Sequence, residues 1–408
     1  MTPQLSPNPV LVDAVLVDVV RTPIGARNGP LSGWHPADLT GFVLRALAER
    51  NGLDPAAVDD VVVGCVTQVG AQSLDVGRNA VLAAGWPHSV PAATVDRQCT
   101  SGQQAVHTAA HSVAAGAAGV VVAAGVEVMS LVPLGAAVAV RDVGQPFPPS
   151  IHERYEAVGG LQPQGMAAEL VAERYGLSRK ALDEYGVASQ ERAAAAMAAG
   201  RFGPGAEIVA VPGRLLDREG HRVVDTGTTV STDGGVRPTT AESLAALRPA
   251  YTEAGVITAG NSAQISDGAA AALIMSEARA AELGLAVRGR FRSFAAAAVD
   301  PVLMHTGPVP ATAAALARAG LTMADIAVAE VHEGYAAAVL AWLAETGADP
   351  ERVNPNGGAI ALGHPLGCSG VRMLATLTCE LERRGGGRGL LTMGGTGGLA
   401  TALVIEVG

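Results

Sequence analysis

Apolar, β-branched residues run almost unbroken through positions 10–20, the pattern of a strand covered on both faces. Residues 38–51 switch to helical spacing and stop before Gly52. The exchange of rhythms then repeats. Strands are expected over 58–66, 92–95 and 119–126, and helices over 75–85 and 102–115. Such alternation predicts an α/β protein whose sheets are mostly buried.

The rhythm breaks between 130 and about 248. Turn-forming runs gather there: Gln145-Pro146-Phe147-Pro148-Pro149, Gly203-Pro204-Gly205 and Asp233-Gly234-Gly235. Two amphipathic helices are expected among them, at 166–175 and 179–199. A stretch of this kind suits a loop domain that leaves the core and covers a binding site. Alternation resumes with a strand at 269–275. Strand 288–297, helix 310–319, strand 326–331, helices 335–345 and 369–383, and a hairpin-like pair across 390–407 follow. The expected division is an N-terminal half over 10–275, with its loop domain at about 130–248, and a C-terminal half over 285–408. Each half combines strands, helices and a glycine-rich turn, as a duplication would, although no strong residue-level repeat is visible.

Composition narrows the function classes. A chain of 408 residues exceeds one ordinary core. With 49% apolar and 16% charged residues it can bury a large interior and is not disordered. Few aromatics and 51 glycines point to close packing through small residues. A net charge of −10 argues against nucleic acid as a partner, because phosphate neutralisation needs a basic surface. It does not exclude an anionic nucleotide thioester held in a local pocket. The four cysteines, Cys65, Cys99, Cys368 and Cys379, form no CxxC pair and no metal-binding spacing, which fits a reducing, cytoplasmic setting and no metal. Met1 to Pro9 has neither a basic nor an apolar leader region. The longest uncharged runs, near 113–126 and 390–405, are shorter than a bilayer span and broken by glycines, so no membrane partner is expected.

Two positions carry candidate chemistry. Cys99 sits in Asp96-Arg97-Gln98-Cys99-Thr100-Ser101-Gly102, between a short strand and a helix. The positive end of a helix dipole favours a thiolate there; Gly102 would permit a sharp turn, with Thr100 and Ser101 as capping residues. A buried structural cysteine is the plainer alternative. His364 lies in a loop, residues 356–367, with more glycine than ordinary packing needs. A histidine so placed can take a proton from a thiol or hold an acyl oxygen.

The segments Arg97 to Gly102, Gly260-Asn261-Ser262-Ala263-Gln264-Ile265-Ser266-Asp267-Gly268-Ala269-Ala270, and Asn356 to Gly370 resemble the thiolase family, in order and spacing over essentially the whole chain. The resemblance implies a five-layered αβαβα fold of two similar halves with an inserted loop domain. It also implies coenzyme A thioesters as substrates, no permanently bound cofactor, and a homodimer or homotetramer. Residue by residue, Cys99 resembles the nucleophile that holds the acyl group, and His364 the base that activates it. The backbone N–H groups of Cys99 and Thr396 fall at an oxyanion hole. Gln164 and Met166 resemble the loop-domain segment lining the acyl and pantetheine tunnel, with Ala259, Gly260, Ser262 and Ala263 expected along the cofactor.

The chain departs from the family pattern at three points. His332-Glu333-Gly334-Tyr335 stands where Asn-Glu-Ala-Phe is usual, so His332 replaces an asparagine that orients an oxyanion-hole water. Ala263 stands where many members have a pantetheine-contacting serine. In Thr392-Met393-Gly394-Gly395-Thr396-Gly397-Gly398, the family's second cysteine, which moves the α-proton, falls on Gly394. The Cys99–His332–His364 set that remains resembles decarboxylating β-ketoacyl synthases. The implied activity is acyl transfer with carbon–carbon bond formation or thiolytic cleavage of 3-ketoacyl-CoA. Decarboxylative condensation and a catalytically silent acyl-CoA-binding homologue are the alternatives.

Overall fold

The computed structural model describes residues 14–140, 144–203, 205–217, 219 and 222–408. The expected absence of a leader at 1–9, and the first part of the 10–20 strand, lie outside these residues.

The chain opens with β1 (Ala14–Arg21), the short β2 (Gly25–Ala26) and α1 (Pro36–Asn51), which Gly52 ends in a left-handed conformation. Next come β3 (Asp60–Gly64), α2 (Val76–Ala83), β4 (Ala92–Val95), α3 (Ser101–Ala114) and β5 (Val120–Val128). The excursion holds the short α4 (Ala136–Ala139) and α5 (Pro149–Tyr155), then α6 (Gln164–Arg174) and α7 (Arg179–Ala198). It continues with β6 (Val211–Asp217), β7 (Arg222–Val230) and α8 (Ala241–Ala245). The chain re-enters the core through β8 (Ser266–Ser276), α9 (Glu277–Glu282), β9 (Gly289–Ala298), α10 (Pro308–Ala319), β10 (Val328–Val331) and α11 (Ala336–Thr346). It closes with α12 (Ala359–Leu362), α13 (Leu366–Arg383), β11 (Gly387–Gly394) and β12 (Leu399–Val407).

The strands form one hydrogen-bonded order, β10-β11-β12-β9-β1-β8-β5-β3-β4, with β2 beside β8. Its two halves join where Val15 and Leu16 pair with Arg290 and Gly289. Three apolar clusters divide the strand side chains by alternation. In β8, Ala269, Ala271, Leu273 and Met275 face α1 and α2, whereas Ala270, Ala272 and Ile274 face α3 and α13. In β12, Leu403, Ile405 and Val407 turn to the same central helices, and Ala400, Ala402 and Val404 to α10 and α11. Helices, sheet, helices, sheet, helices: the five layers follow from a continuous apolar run buried on both sides.

Three local differences from expectation have physical causes. The β6–β7 ribbon is largely exposed and rich in Thr, Arg and Asp, so it lacks the apolar run that marks a buried strand. Residues 359–362 form one helical turn inside the glycine-rich loop. Helix α13 begins at Leu366 rather than 369, because Pro365 at its N-cap sets the entry and Leu366-Gly367-Cys368 continue into it.

Candidate active site

Cys99 reaches the interior on a strained turn. Gln98, just before it, has φ 51°, a left-handed conformation uncommon for a residue with a side chain. Asp96 Oδ1 accepts the Gln98 N–H at 2.6 Å, and Ser101 Oγ accepts the Arg97 N–H at 2.8 Å, which together hold the turn. Thr100 and Ser101 brace this turn rather than cap α3: Thr100 Oγ1 donates to the Arg97 carbonyl, and Ser101 Oγ to that of Gln98. Gly102 is helical, and its role is closeness. A Cβ there would lie 2.4 Å from the Gly367 carbonyl oxygen, and one at Gly370 would lie 2.0 Å from the Gln103 nitrogen. Helices α3 and α13 therefore touch backbone to backbone near their starts, which brings Cys99 and His364 to one place.

Burial opposes the thiolate that a helix start would favour. Burial pushes the Cys99 thiol up to about 12, against hydrogen bonds from the Thr396 and Cys99 N–H groups that lower it. The two backbone donors expected at an oxyanion hole are thus the groups that favour the thiolate against burial. The Gln164 side chain donates to Thr396 Oγ1 at 2.6 Å and ties α6 to the glycine turn. A protonated thiol needs a base.

His364 is set up as one. Its Nδ1 lies 2.6 Å from Ser369 Oγ, whose own hydrogen goes to the Pro365 carbonyl at 2.9 Å. The hydroxyl can therefore only accept from the ring, so Nδ1 carries the hydrogen and Nε2 holds the lone pair. Among the described residues this buried Nε2 has no partner. Burial, then His332 and Arg372, hold the ring well below the usual histidine range, hence neutral.

A cavity of about 260 Å³ joins Cys99, His332, His364, Gly394 and Gly395. His332 lies against His364 and likewise has an unpartnered Nε2. Burial, Arg372 and His305 lower it to about 3, opposed by the Gly394 backbone. Gly334 leaves its ring room, since a Cβ there would lie 3.2 Å from His332 Cε1. Beside Gly394 the filling is apolar: an added Cβ would meet Pro308 Cδ at 3.2 Å and Cγ at 3.3 Å.

Of the expected cofactor-side residues, Gln164, Ala259, Ser262 and Ala263 line the cavity, and Met166 and Gly260 do not. Gly260 packs instead against Leu244 and Leu247. The Ser262 hydroxyl donates to the Thr258 carbonyl at 2.7 Å, so it is already engaged. The surrounding motif is a scaffold. Gln264 donates to the carbonyls of Gly235, Ile360 and Ala361 and accepts the His364 N–H. Asn261 binds the Asp183 carboxylate on α7.

His305 and the Tyr251–Tyr335 pair, joined through their hydroxyls at 3.2 Å, also line the cavity, and of these only Tyr335 lies in a motif the sequence marks. Cys65 and Cys368 are buried, Cys379 is half-buried, and none borders the cavity. No group of His, Cys, Asp and Glu able to hold a metal occurs among the described residues, and no helix among them is long and apolar enough to cross a membrane.

Residues 14–278 match the family model described as thiolase, N-terminal domain, and residues 285–407 that of thiolase, C-terminal domain. The chain is 44% identical to the steroid 3-ketoacyl-CoA thiolase FadA6 of Mycobacterium tuberculosis, across 97% of this chain and 95% of that one. It is 41% identical to a 3-ketoacyl-CoA thiolase of Bacillus subtilis, across 97% and 99%. Among solved structures, the Bacillus anthracis acetyl-CoA acetyltransferase superposes with a TM-score of 0.86 at 35% identity, covering 98% of this chain and 99% of that one.

Proposed function

The chain belongs to the thiolase family, and from that premise we propose that it transfers acyl groups from coenzyme A thioesters through a thioester on Cys99. The activity is that of an acyltransferase, which makes or thiolytically cleaves the carbon–carbon bond of 3-ketoacyl-CoA. In the first half-reaction His364 Nε2 takes the Cys99 proton, and the thiolate attacks the acyl carbonyl. The backbone N–H groups of Cys99 and Thr396 receive the negative oxygen. Collapse expels coenzyme A, which leaves as a thiol with the proton from His364. In the second half-reaction His364 and His332 face the thioester oxygen of the incoming acyl-CoA. The decarboxylative and silent alternatives are not favoured.

One observation carries this reading: Cys99 and His364 line one cavity, and the buried Nε2 of His364 has no partner among the described residues. Incubation with acetyl-CoA should add one acetyl group to the intact protein and none to Cys99→Ala. An adduct of equal size on the variant would overturn the assignment. Running the same protein with acetyl-CoA alone and with malonyl-CoA added separates the two condensing chemistries, since thiolase action needs no malonyl group.

The rest of the reading is coarser. Gln164, Ala259, Ser262 and Ala263 are assigned to the pantetheine side of the cavity, and residues 10–275 and 285–408 to the two halves. A cytoplasmic homodimer or homotetramer without a permanent cofactor completes it. Four free cysteines and the edge of β4, which has no outer strand partner among the described residues, support that assignment. Light scattering of the purified protein tests the oligomer.

A further inference from the structure

The proposed function leaves one step without an agent. Carbon–carbon bond formation requires removal of an α-proton from the second acyl-CoA, and Gly394 has no side chain to remove it. We propose that His305 takes that proton. The inference rests on the acyl-Cys99 reading and extends it to the second half-reaction.

His305 lies in the 3₁₀ turn Pro301–Thr306, three residues before Pro308, the residue that fills the space beside Gly394. The turn thus sits against the place from which a cysteine would have acted, and its histidine lines the same cavity as Cys99, His332 and His364. Its Nε2 lies 2.8 Å from the Gln164 carbonyl oxygen. A carbonyl only accepts, so Nε2 carries the hydrogen and Nδ1 holds the basic lone pair. Tyr335 meets the ring edge-on at 4.9 Å between centroids and restrains its plane. Burial lowers His305 to about 4, with the Gln164 carbonyl opposing, so the ring is neutral and able to accept a proton.

Of the other two histidines at the cavity, His364 and His332 are assigned to the thioester oxygen in this half-reaction and lie ring to ring. A charge on His332 would arise beside the imidazole that must itself cycle through a charged state. His305 is the member of the set without that ring-to-ring contact.

The step balances within the cavity. The methyl C–H bond of acetyl-CoA breaks, its proton passes to His305 Nδ1, and its electron pair moves to the thioester oxygen as an enolate. The imidazolium formed is compensated by that enolate. Attack of the enolate carbon on acyl-Cys99 forms the carbon–carbon bond and releases the Cys99 thiolate, which takes up the proton held on His305, so that both groups return to their neutral state within the cavity they share. In thiolysis the same groups act in reverse, and His305 returns the proton to carbon.

Deuterium exchange into the methyl group of acetyl-CoA in D₂O isolates the step, and acetylation of Cys99 on the same sample reports the first half-reaction. His305→Gln keeps an amide donor for the Gln164 carbonyl while removing the basic nitrogen. The expected result is normal Cys99 acetylation with exchange reduced about 10²-fold or more. Unchanged exchange overturns the inference. So does exchange lost together with acetylation, which means a structural role, or exchange lost in His332→Gln but kept in His305→Gln. Wild-type protein that is not acetylated at Cys99 would instead overturn the function on which this step rests.

Discussion

His332 and His364 lie ring to ring, with centroids 4.2 Å apart and planes inclined by 49°. With Arg372 also depressing both, two charged imidazoles there would repel each other inside a buried site. The resting pair is therefore neutral, and the site carries at most one proton from Cys99 at a time.

That neutrality is a stability statement. His332, lowered to about 3, contributes stability that is full above the unfolded pKa of about 6.5 and is lost as pH falls toward the folded value, because the unfolded chain binds the proton first. The slope per group is about 1.4 kcal/mol per pH unit within that window. His332→Gln should flatten the fall in stability between pH 6 and 4.5 by about that amount, read from urea midpoints. Parallel curves for wild type and variant would contradict it.

Ser369 fixes which nitrogen of His364 is basic. Ser369→Ala removes a hydrogen bond worth about 0.5–1.5 kcal/mol and lets the hydrogen move to Nε2, where the base must act. Acetyl loading of Cys99 should slow about two- to twelvefold, the range those energies convert to. Ser369→Thr, which retains the hydroxyl, should stay near wild type. A Thr variant as slow as the Ala variant would point to packing instead.

The crossing of α3 and α13 leaves no room for a side chain at its glycines. Gly370→Ala would place a methyl carbon 2.0 Å from the Gln103 nitrogen, and the atom in the way is backbone, which cannot rotate aside. The cost should be on the order of 3 kcal/mol, with slower acetyl loading because Cys99 and His364 are forced apart. Gly116→Ala is the control. Its φ of 68° is unfavourable, yet nothing lies near its added Cβ, so it should cost only about 1 kcal/mol and leave acetyl loading unchanged. Equal losses in the two variants would show backbone conformation, not the crossing, to be limiting.

The sequence made the layers and the two ends of the reaction legible for definite reasons. Continuous, β-branched apolar runs such as 120–126 fit strands buried on both faces, and Cys99 and His364 sit in long local motifs. What was hidden depends on contacts between distant segments. Pro308 beside Gly394, and His305 in the cavity, are brought there by a turn more than 80 residues away in sequence from the glycine. Local pattern also misled. The position of Cys99 ahead of α3 favours a thiolate, but burial pushes the thiol up against the backbone donors. The glycine at 102 reads as a turn residue, whereas the strained turn is at Gln98 and the glycine serves the helix crossing.

Restoring a thiol at Gly394 gives the sharpest test of how the site works without one. In Gly394→Cys the new Cβ would lie 3.2 Å from Pro308 Cδ, a contact relieved by a shift of a few tenths of an ångström, so the variant should fold and place its sulfur at the cavity. If His305 already moves the α-proton, the added thiol is a second base for a step already served. Deuterium exchange into acetyl-CoA should then rise less than about tenfold. In the His305→Gln background the same substitution replaces a base that is missing, and exchange should recover about 10²-fold, the usual worth of one positioned general base. The two gains must differ. Equal gains in both backgrounds would mean that His305 and position 394 act independently, and that the proton leaves by another route.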